Sequence, residues 1–148
     1  MVSALLLGFG LANFVGTLVA GSLISRSLKM SLAALPLFMA FIAVILVTTA
    51  PPLPLAAVLV AFWGFLFGAV PVAWSTWLAR TIPDEAESAG GLLVASIQFA
   101  IAMGAAVGGI IFDLSGAISV FGTSGLILAL AAIGIMVGVR SRPEASMA

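Results

Sequence analysis

Five long apolar stretches dominate the sequence, and short segments rich in charge, proline or serine separate them. They lie at residues 3–24, 31–50, 55–78, 89–112 and 117–139. Each is close to the ~20 residues that an α-helix needs to cross ~30 Å of hydrocarbon. Lipid offers no partner for backbone hydrogen-bonding groups, and the stretches are too long and too evenly apolar to be barrel strands. The pattern therefore predicts an all-α membrane protein, a single domain of five transmembrane helices.

The composition agrees with a chain that is solvated mostly by lipid. Of the 148 residues, 64% are hydrophobic and only 7% are charged, and the mean hydropathy is +1.37. So few charges cannot cover the surface of a water-soluble globule of this length. The formal net charge is zero, so there is no basic excess that would indicate nucleic-acid binding.

The chain lacks two residue types on which many enzyme active sites depend, because it contains neither a cysteine nor a histidine. Their absence removes thiolate and imidazole metal ligands, disulfides, and every catalytic arrangement built on Cys/His or Ser/His/Asp. We therefore expect no metal site, no cofactor and no enzymatic activity.

The charged residues fall in the connections and in the C-terminal tail, and they indicate an orientation. The second connection, 51–54, has no charge, and the fourth, 113–116, has only an acidic one. All five basic residues lie in the first connection, the third connection or the tail: Arg26, Lys29, Arg80, Arg140 and Arg142. Because Lys and Arg favour cytoplasmic loops, this distribution predicts an N-out, C-in topology in the plasma (inner) membrane, with a cytoplasmic C-terminus.

The start of the chain is unusual for a complete membrane protein. Met1 runs almost directly into the first apolar stretch, with no basic residue before it. A glycine followed four positions later by a polar residue occurs at Gly21 and again at Gly109, which pairs the first and fourth helices as equivalents of opposite direction, as in inverted three-helix repeats. On that pairing the first repeat lacks its first helix, so we expect an N-terminal portion to be missing.

Small residues recur at four-residue spacing in several of the predicted helices. This spacing lets helix backbones approach closely, so we predict tight packing within one bundle, with dimerisation or a substrate path as the alternatives. The pattern occurs at Gly64 and Gly68, Gly104 and Gly108, Gly134 and Gly138, and along the first helix at Gly8, Ala12, Gly16 and Ala20.

The third predicted helix has a bulky stripe beside a small face. The stripe consists of Trp63, Phe67, Val70, Trp74 and Trp77, and the small face of Gly64, Gly68, Pro71 and Ser75. Pro71 removes a backbone hydrogen bond and predicts a kink. Trp77, close to the charged end of the helix, is expected to be an interfacial anchor, whereas Trp63 and Trp74 lie deeper and either line a substrate cavity or pack against lipid or the core.

No ionisable residue lies within any of the five stretches, so the uncharged polar side chains are the remaining candidates for recognition. Gln98 on the fourth helix, and Asn13 and Thr17 one turn apart on the first, need hydrogen-bond partners in hydrocarbon. Each either bonds to another helix or faces a wet substrate path. Asp113, at a helix end, is expected to be terminal rather than a proton relay. The full set of substrate-path candidates is Asn13, Thr17, Trp63, Pro71, Trp74, Ser75 and Gln98.

Three stretches of this sequence resemble the C-terminal half of the major facilitator superfamily. They are LLLGFGLANFVGTLVAG (5–21), GAVPVAWSTWLAR (68–80) and AESAGGLLVASIQFAIAMGAAVGGIIFD (86–113). The resemblance is to the drug and metabolite:proton antiporter branch, and within it to bacterial purine ribonucleoside efflux permeases. It implies helices eight to twelve of a twelve-helix fold.

The resemblance also implies a function. It is proton-coupled efflux of a small molecule such as a purine nucleoside or a drug, with the coupling carboxylate in the missing N-terminal half. The implied partners are the lipid bilayer, the small-molecule substrate, the proton gradient and that missing half. The alternative interpretation of the five helices is a non-transporting membrane scaffold or a decayed remnant.

Overall fold

The computed structural model describes residues 2–24 and 27–139, and these are almost entirely helical. Four long helices follow one another: α1 (Val2–Ile24), α2 (Leu28–Thr49), α3 (Leu53–Thr81) and α4 (Ala86–Gly138), with a short 3-10 turn, Pro83–Glu85, before α4. The described segments contain no β-strand, and the all-α prediction is confirmed. Arg26, Arg140 and Arg142, which contributed to the predicted orientation, lie outside the described residues.

All four helices are long and apolar enough to cross a bilayer. At 1.5 Å per residue, α1 and α2 span about 34 Å and α3 about 44 Å, against ~30 Å of hydrocarbon. α3 extends beyond the predicted 55–78 at both ends. Its start is set by Pro54 in the first turn, where a missing N–H costs nothing. Its end runs on through Arg80 to Thr81, whose hydroxyl bonds back to the carbonyl of Trp77 at 2.7 Å.

The fourth helix is bent at a single residue. Gly116 has φ 77° and ψ 179° inside an otherwise helical segment, a conformation that is essentially restricted to glycine. We call residues 86–115 the first arm and residues 117–138 the second arm. The predicted connection at 113–116 therefore narrows to one residue, because Asp113 keeps helical backbone. Hydropathy placed the interruption correctly but overestimated its length, since one glycine suffices to redirect the chain.

The core lies where α1, α2, α3 and the second arm meet. One buried cluster joins α1, α2 and α3, with Ile135 of the second arm packed against it, and consists of Ala20, Ile24, Leu32, Ala69 and Ala73. The other joins α2 and α3, with Leu128 of the second arm packed against it, and consists of Met39, Ile42 and Leu66. α1 packs mainly on α3, and the second arm packs mainly on α2. Small alanines at the centre of the first cluster let the helices come close.

The first arm lies apart from this core. None of its residues is buried, and its large apolar side chains are open on several faces, with Leu92 70% and Phe99 69% exposed. A helix that is apolar all round belongs in lipid or inside a larger protein. A Cβ built on Gly104 or Gly108 would meet no atom within 4 Å, so the predicted tight packing is not found at this pair within the described chain.

Candidate functional site

The closest approach between helices is the crossing of α1 and α3. A methyl group on Gly64 would lie 2.6 Å from the carbonyl oxygen of Phe9, and one on Gly68 would overlap the backbone carbonyl of Asn13. Gly16 has the same relation to the carbonyl of Phe65. Backbones can approach this closely only where side chains are absent. Tight packing is therefore confirmed for the glycines of this crossing, while those at 134 and 138 lie open.

Thr17 links the two helices at this crossing by a hydrogen bond. Its Oγ1 lies 3.0 Å from the carbonyl oxygen of Asn13 in its own helix and 3.1 Å from that of Gly68 in α3. The acceptor on α3 lies next to the carbonyl of Phe67, which Pro71 leaves without its helical donor because proline has no N–H. Thr17 thus joins α1 to α3 in the turn that precedes the proline.

The rest of the small face of α3 leaves the crossing and is open. Pro71 and Ser75 are both exposed, and the Ser75 hydroxyl donates to the Pro71 carbonyl at 2.8 Å. The helix continues through the proline without a break in its assignment from Leu53 to Thr81. Each serine or threonine hydroxyl that bonds its own helix in this way is satisfied locally and needs no second helix.

The tryptophans of α3 pack against the core and make aromatic contacts. Trp63 meets Phe121 of the second arm edge to face, with ring centroids 5.7 Å apart and planes at 73°. Trp74 makes a similar contact with Trp77, at 5.6 Å and 81°. Both candidates, Trp63 and Trp74, are half-buried against the two core clusters. Edge-to-face geometry is the favourable one for aromatic pairs. The contact of Trp63 with Phe121 therefore stabilises the packing of α3 on the second arm, whereas that of Trp74 with Trp77 lies within α3.

A cavity of about 230 Å³ lies between α2, α3 and the second arm. Its walls include Leu32 and Pro36 from α2, Phe67 and Trp74 from α3, and Leu128 and Ala131 from the second arm, and every lining residue is apolar. Of the seven candidates, Trp74 alone lines it. Such a cavity offers shape and dispersion contacts, and among its side chains only the indole of Trp74 carries a hydrogen-bond donor, which is too little to fix a polar ligand.

The seven candidates do not converge on one pocket in the described part of the chain. Asn13 and Thr17 lie at the crossing of α1 and α3, whereas Trp74 and Trp63 pack against the first and second core clusters. Gln98 is exposed on the first arm, where it bonds to no other described side chain. The sequence did not predict the apolar cavity, because the residues of its walls are distant in sequence and only the tertiary packing brings them together.

The acidic residues before α4 are placed as their charge favours. Asp84 and Glu85 lie in the 3-10 turn, and Glu87 lies in the first turn of α4, where the positive end of the helix dipole stabilises carboxylates. Within residues 2–24 and 27–139, no group of three acidic side chains is arranged to hold a metal ion.

Replacing Thr17 with valine is expected to lower the free energy of unfolding by about 0.6 kcal/mol and by no more than about 1.7 kcal/mol, the average and the maximum measured for interhelical hydrogen bonds in a membrane protein. Valine keeps the shape of the side chain and removes only the donor. The measurement is reversible unfolding in mixed micelles. Thr48→Val is the matched control, because the Thr48 hydroxyl bonds only to Val44 of its own helix. Equal losses in the two variants would contradict a role for Thr17 in joining α1 to α3.

The comparisons with known proteins agree with a membrane transport fold. Purine ribonucleoside efflux pump NepI from Salmonella enteritidis is 42% identical over 142 residues, which is 96% of this chain and 36% of the relative. NepI from Salmonella gallinarum gives the same values, and NepI from Salmonella typhimurium is 41% identical over the same coverage. The chain thus spans about a third of the length of these relatives. No solved structure matches.

The family model agrees with these relatives and covers nearly the whole chain. The relatives are named as efflux pumps, which are transporters and not enzymes. The model described as Major Facilitator Superfamily matches residues 1–147, and we conclude that the chain belongs to the major facilitator superfamily of membrane transporters.

Proposed function

We propose that the chain is the C-terminal part of a proton-coupled efflux transporter that exports purine ribonucleosides or similar small molecules across the plasma membrane. The observation that carries this proposal is the 42% identity over 96% of the chain to pumps named for purine ribonucleoside efflux. The matched segment is 36% of those relatives, so transport requires the helices that the rest of a relative would supply.

We also propose that the chain crosses the membrane five times, with the N-terminus outside and the C-terminus in the cytoplasm. A continuous helix of 53 residues would measure about 80 Å, far more than the hydrocarbon thickness. Gly116 divides α4 into arms of about 45 and 33 Å, and each arm is long enough for its own crossing. Lys29 and Arg80 then lie on the cytoplasmic side.

The substrate path in this proposal follows the surfaces that the described chain leaves uncovered. The first arm carries Gln98 among small and apolar residues, with no packing partner in the described chain. An amide in that position can hydrogen-bond a nucleoside base or ribose once other helices enclose it. Asn13, half-exposed beside the α1–α3 crossing, is the second polar group proposed for this path. Trp74, which could stack on a base, faces the apolar cavity instead.

Transport by a chimaera tests the proposal. Residues 1–148 replace the corresponding C-terminal third of NepI, and uptake of a tritiated purine ribonucleoside is measured in inside-out vesicles with an imposed proton gradient. We expect uptake that a protonophore abolishes. In the same chimaera, Gln98→Leu should lower uptake about fivefold, because a lost hydrogen bond costs ~1 kcal/mol.

The controls separate folding from function. The chimaera must reach the membrane at the level of intact NepI, and a pyrimidine ribonucleoside serves as the competing substrate. A chimaera that inserts fully but moves no purine ribonucleoside would overturn the substrate class. Uptake that survives the protonophore would overturn the proton coupling and leave efflux standing.

A further inference from the structure

The apolar cavity between α2, α3 and the second arm is not part of the proposed substrate path, because the polar candidates lie elsewhere. Its volume is about 230 Å³ and it is partly enclosed. Phe67, on its wall, is 43% exposed, and Ala131 is exposed as well. The cavity is therefore open to the surroundings of the helix bundle at these two residues.

The chemistry of the walls selects the occupant. The indole N–H of Trp74 is the one polar group among the lining side chains, so water would find too few partners there and a polar solute would lose most of its own hydrogen bonds. A hydrocarbon chain loses nothing on entering and gains dispersion contacts with the walls. The aliphatic surface open to an occupant comes from the half-buried lining residues Leu35, Leu128 and Ile135.

The cavity begins in the hydrocarbon region of one leaflet. The lining residue Pro36 lies about 12 Å from the start of α2, and Trp74 and Ala131 lie about 10 Å from the ends of their helices, at 1.5 Å per residue. These three helix ends are at the same side of the bundle, because Leu28, Trp77 and Val139 all pack against one buried cluster. Half of a ~30 Å hydrocarbon core is ~15 Å thick, so these three residues lie within one leaflet. The lining residues Met39 and Phe67, about 17 and 21 Å from the same helix ends, extend the cavity to the bilayer midplane.

Two cations stand at that same end of the bundle. Lys29 follows Leu28 at the start of α2, and Arg80 lies in the last turn of α3, about one turn beyond Trp77. Neither forms an ion pair with another residue of the described chain. A phosphate at the membrane surface would complement both charges, and a basic side chain near an anionic surface contributes ~1 kcal/mol to lipid binding.

We propose that the cavity binds one acyl chain of an anionic phospholipid whose phosphate lies beside Lys29 and Arg80. The cavity supplies the apolar contacts and the two cations supply the preference for a negatively charged headgroup. The site is distinct from the proposed substrate path and would hold a structural lipid against α2, α3 and the second arm.

Tryptophan fluorescence in vesicles that contain brominated lipid tests this site. Bromine atoms on an acyl chain quench only nearby indoles, and Trp74 is the one tryptophan on the cavity wall. The parent for the test is the Trp63→Phe, Trp77→Phe chain, reconstituted with increasing fractions of acyl-brominated phosphatidylglycerol. Adding Ala131→Phe to this parent places a phenyl ring in the cavity and excludes the acyl chain. Trp74 should therefore be quenched at a lower fraction of brominated lipid in the parent than in the Ala131→Phe variant. Lys29→Gln should raise the half-quenching fraction about fivefold, the equivalent of ~1 kcal/mol.

Leu130→Phe is the matched control for the filling variant. Leu130 is 60% exposed and does not line the cavity, so its phenyl ring should leave the quenching unchanged. If Ala131→Phe and the parent are quenched alike, no acyl chain enters the cavity and the proposal fails. A protein segment that filled the cavity would give this same result. If Lys29→Gln and Arg80→Gln change nothing, the phosphate position is wrong. Should the double replacement not reconstitute, the same comparison in the three-tryptophan chain carries the test.

Discussion

Replacing Gly68 with alanine is expected to lower the free energy of unfolding by about 2 kcal/mol or more, within or above the range for overpacked sites. The added methyl group would overlap the carbonyl of Asn13 and come within 3.0 Å of the Thr17 amide nitrogen. Both are backbone atoms and cannot rotate away, so α1 and α3 must separate. Separation also breaks the hydrogen bond from Thr17 to the Gly68 carbonyl. Unfolding by a denaturing detergent in mixed micelles measures the loss.

Gly108→Ala makes the same chemical change where there is space. A Cβ on Gly108 meets no atom within 4 Å, and alanine is a better helix former than glycine by about 1 kcal/mol. The stability of this variant should stay the same or rise slightly. A similar loss in both variants would mean that glycine is needed for helix flexibility in general, and the close crossing would not explain the effect at Gly68.

The two glycine pairs show how far sequence alone could lead. The spacing is the same in the pair Gly64 and Gly68 as in the pair Gly104 and Gly108. This spacing indicates only that a close approach of another helix is sterically allowed. Whether a partner helix occupies that space depends on the fold. For Gly68 the partner is α1, and for Gly108 there is none among the described residues. A motif therefore predicts the permissive surface, but the contact needs the tertiary arrangement.

The membrane class and the approximate helices could be predicted because hydrocarbon imposes length and composition directly. The end of α3 was placed three residues too early, since Arg80 and Thr81 are polar while the backbone hydrogen bonding continues through them. Hydropathy measures where lipid ends, and a helix can extend past that point into the headgroup region. Boundaries read from hydropathy are therefore the boundaries of the hydrocarbon and not of the helix.

The cavity could not be predicted for a different reason. Leu32 and Ala131 are about a hundred positions apart and neither has a distinctive side chain. An apolar cavity arises from a mismatch of shapes between helices, and one sequence carries no local signal of it. Polar candidates such as Thr17 could be picked out from the sequence, because a hydroxyl in hydrocarbon must bond to something, but its partner, the Gly68 carbonyl, could not.

Replacing Gly116 with alanine is expected to have the other large effect. At φ 77° and ψ 179° a side chain costs about 1–3 kcal/mol, because only glycine adopts this region readily. Alanine would favour ordinary helical angles and straighten α4, and a helix of about 80 Å cannot fit across ~30 Å of hydrocarbon. The second arm would then lose its contacts with the core, including that between Phe121 and Trp63. Unfolding in mixed micelles should show the loss of stability.

Single cysteines report the topology directly, because the chain has none of its own. If each arm of α4 crosses the membrane, Ser115→Cys and Asp84→Cys react with a membrane-impermeant maleimide from opposite sides. When Gly116→Ala is added, Ser115→Cys should react with the maleimide from both sides of the membrane. Gly134→Ala, on the second arm where a Cβ meets nothing within 4 Å, should preserve both the labelling and the stability. Labelling of the two cysteines from one side would contradict separate crossings, and an unchanged Gly116→Ala variant would show that the bend does not depend on glycine.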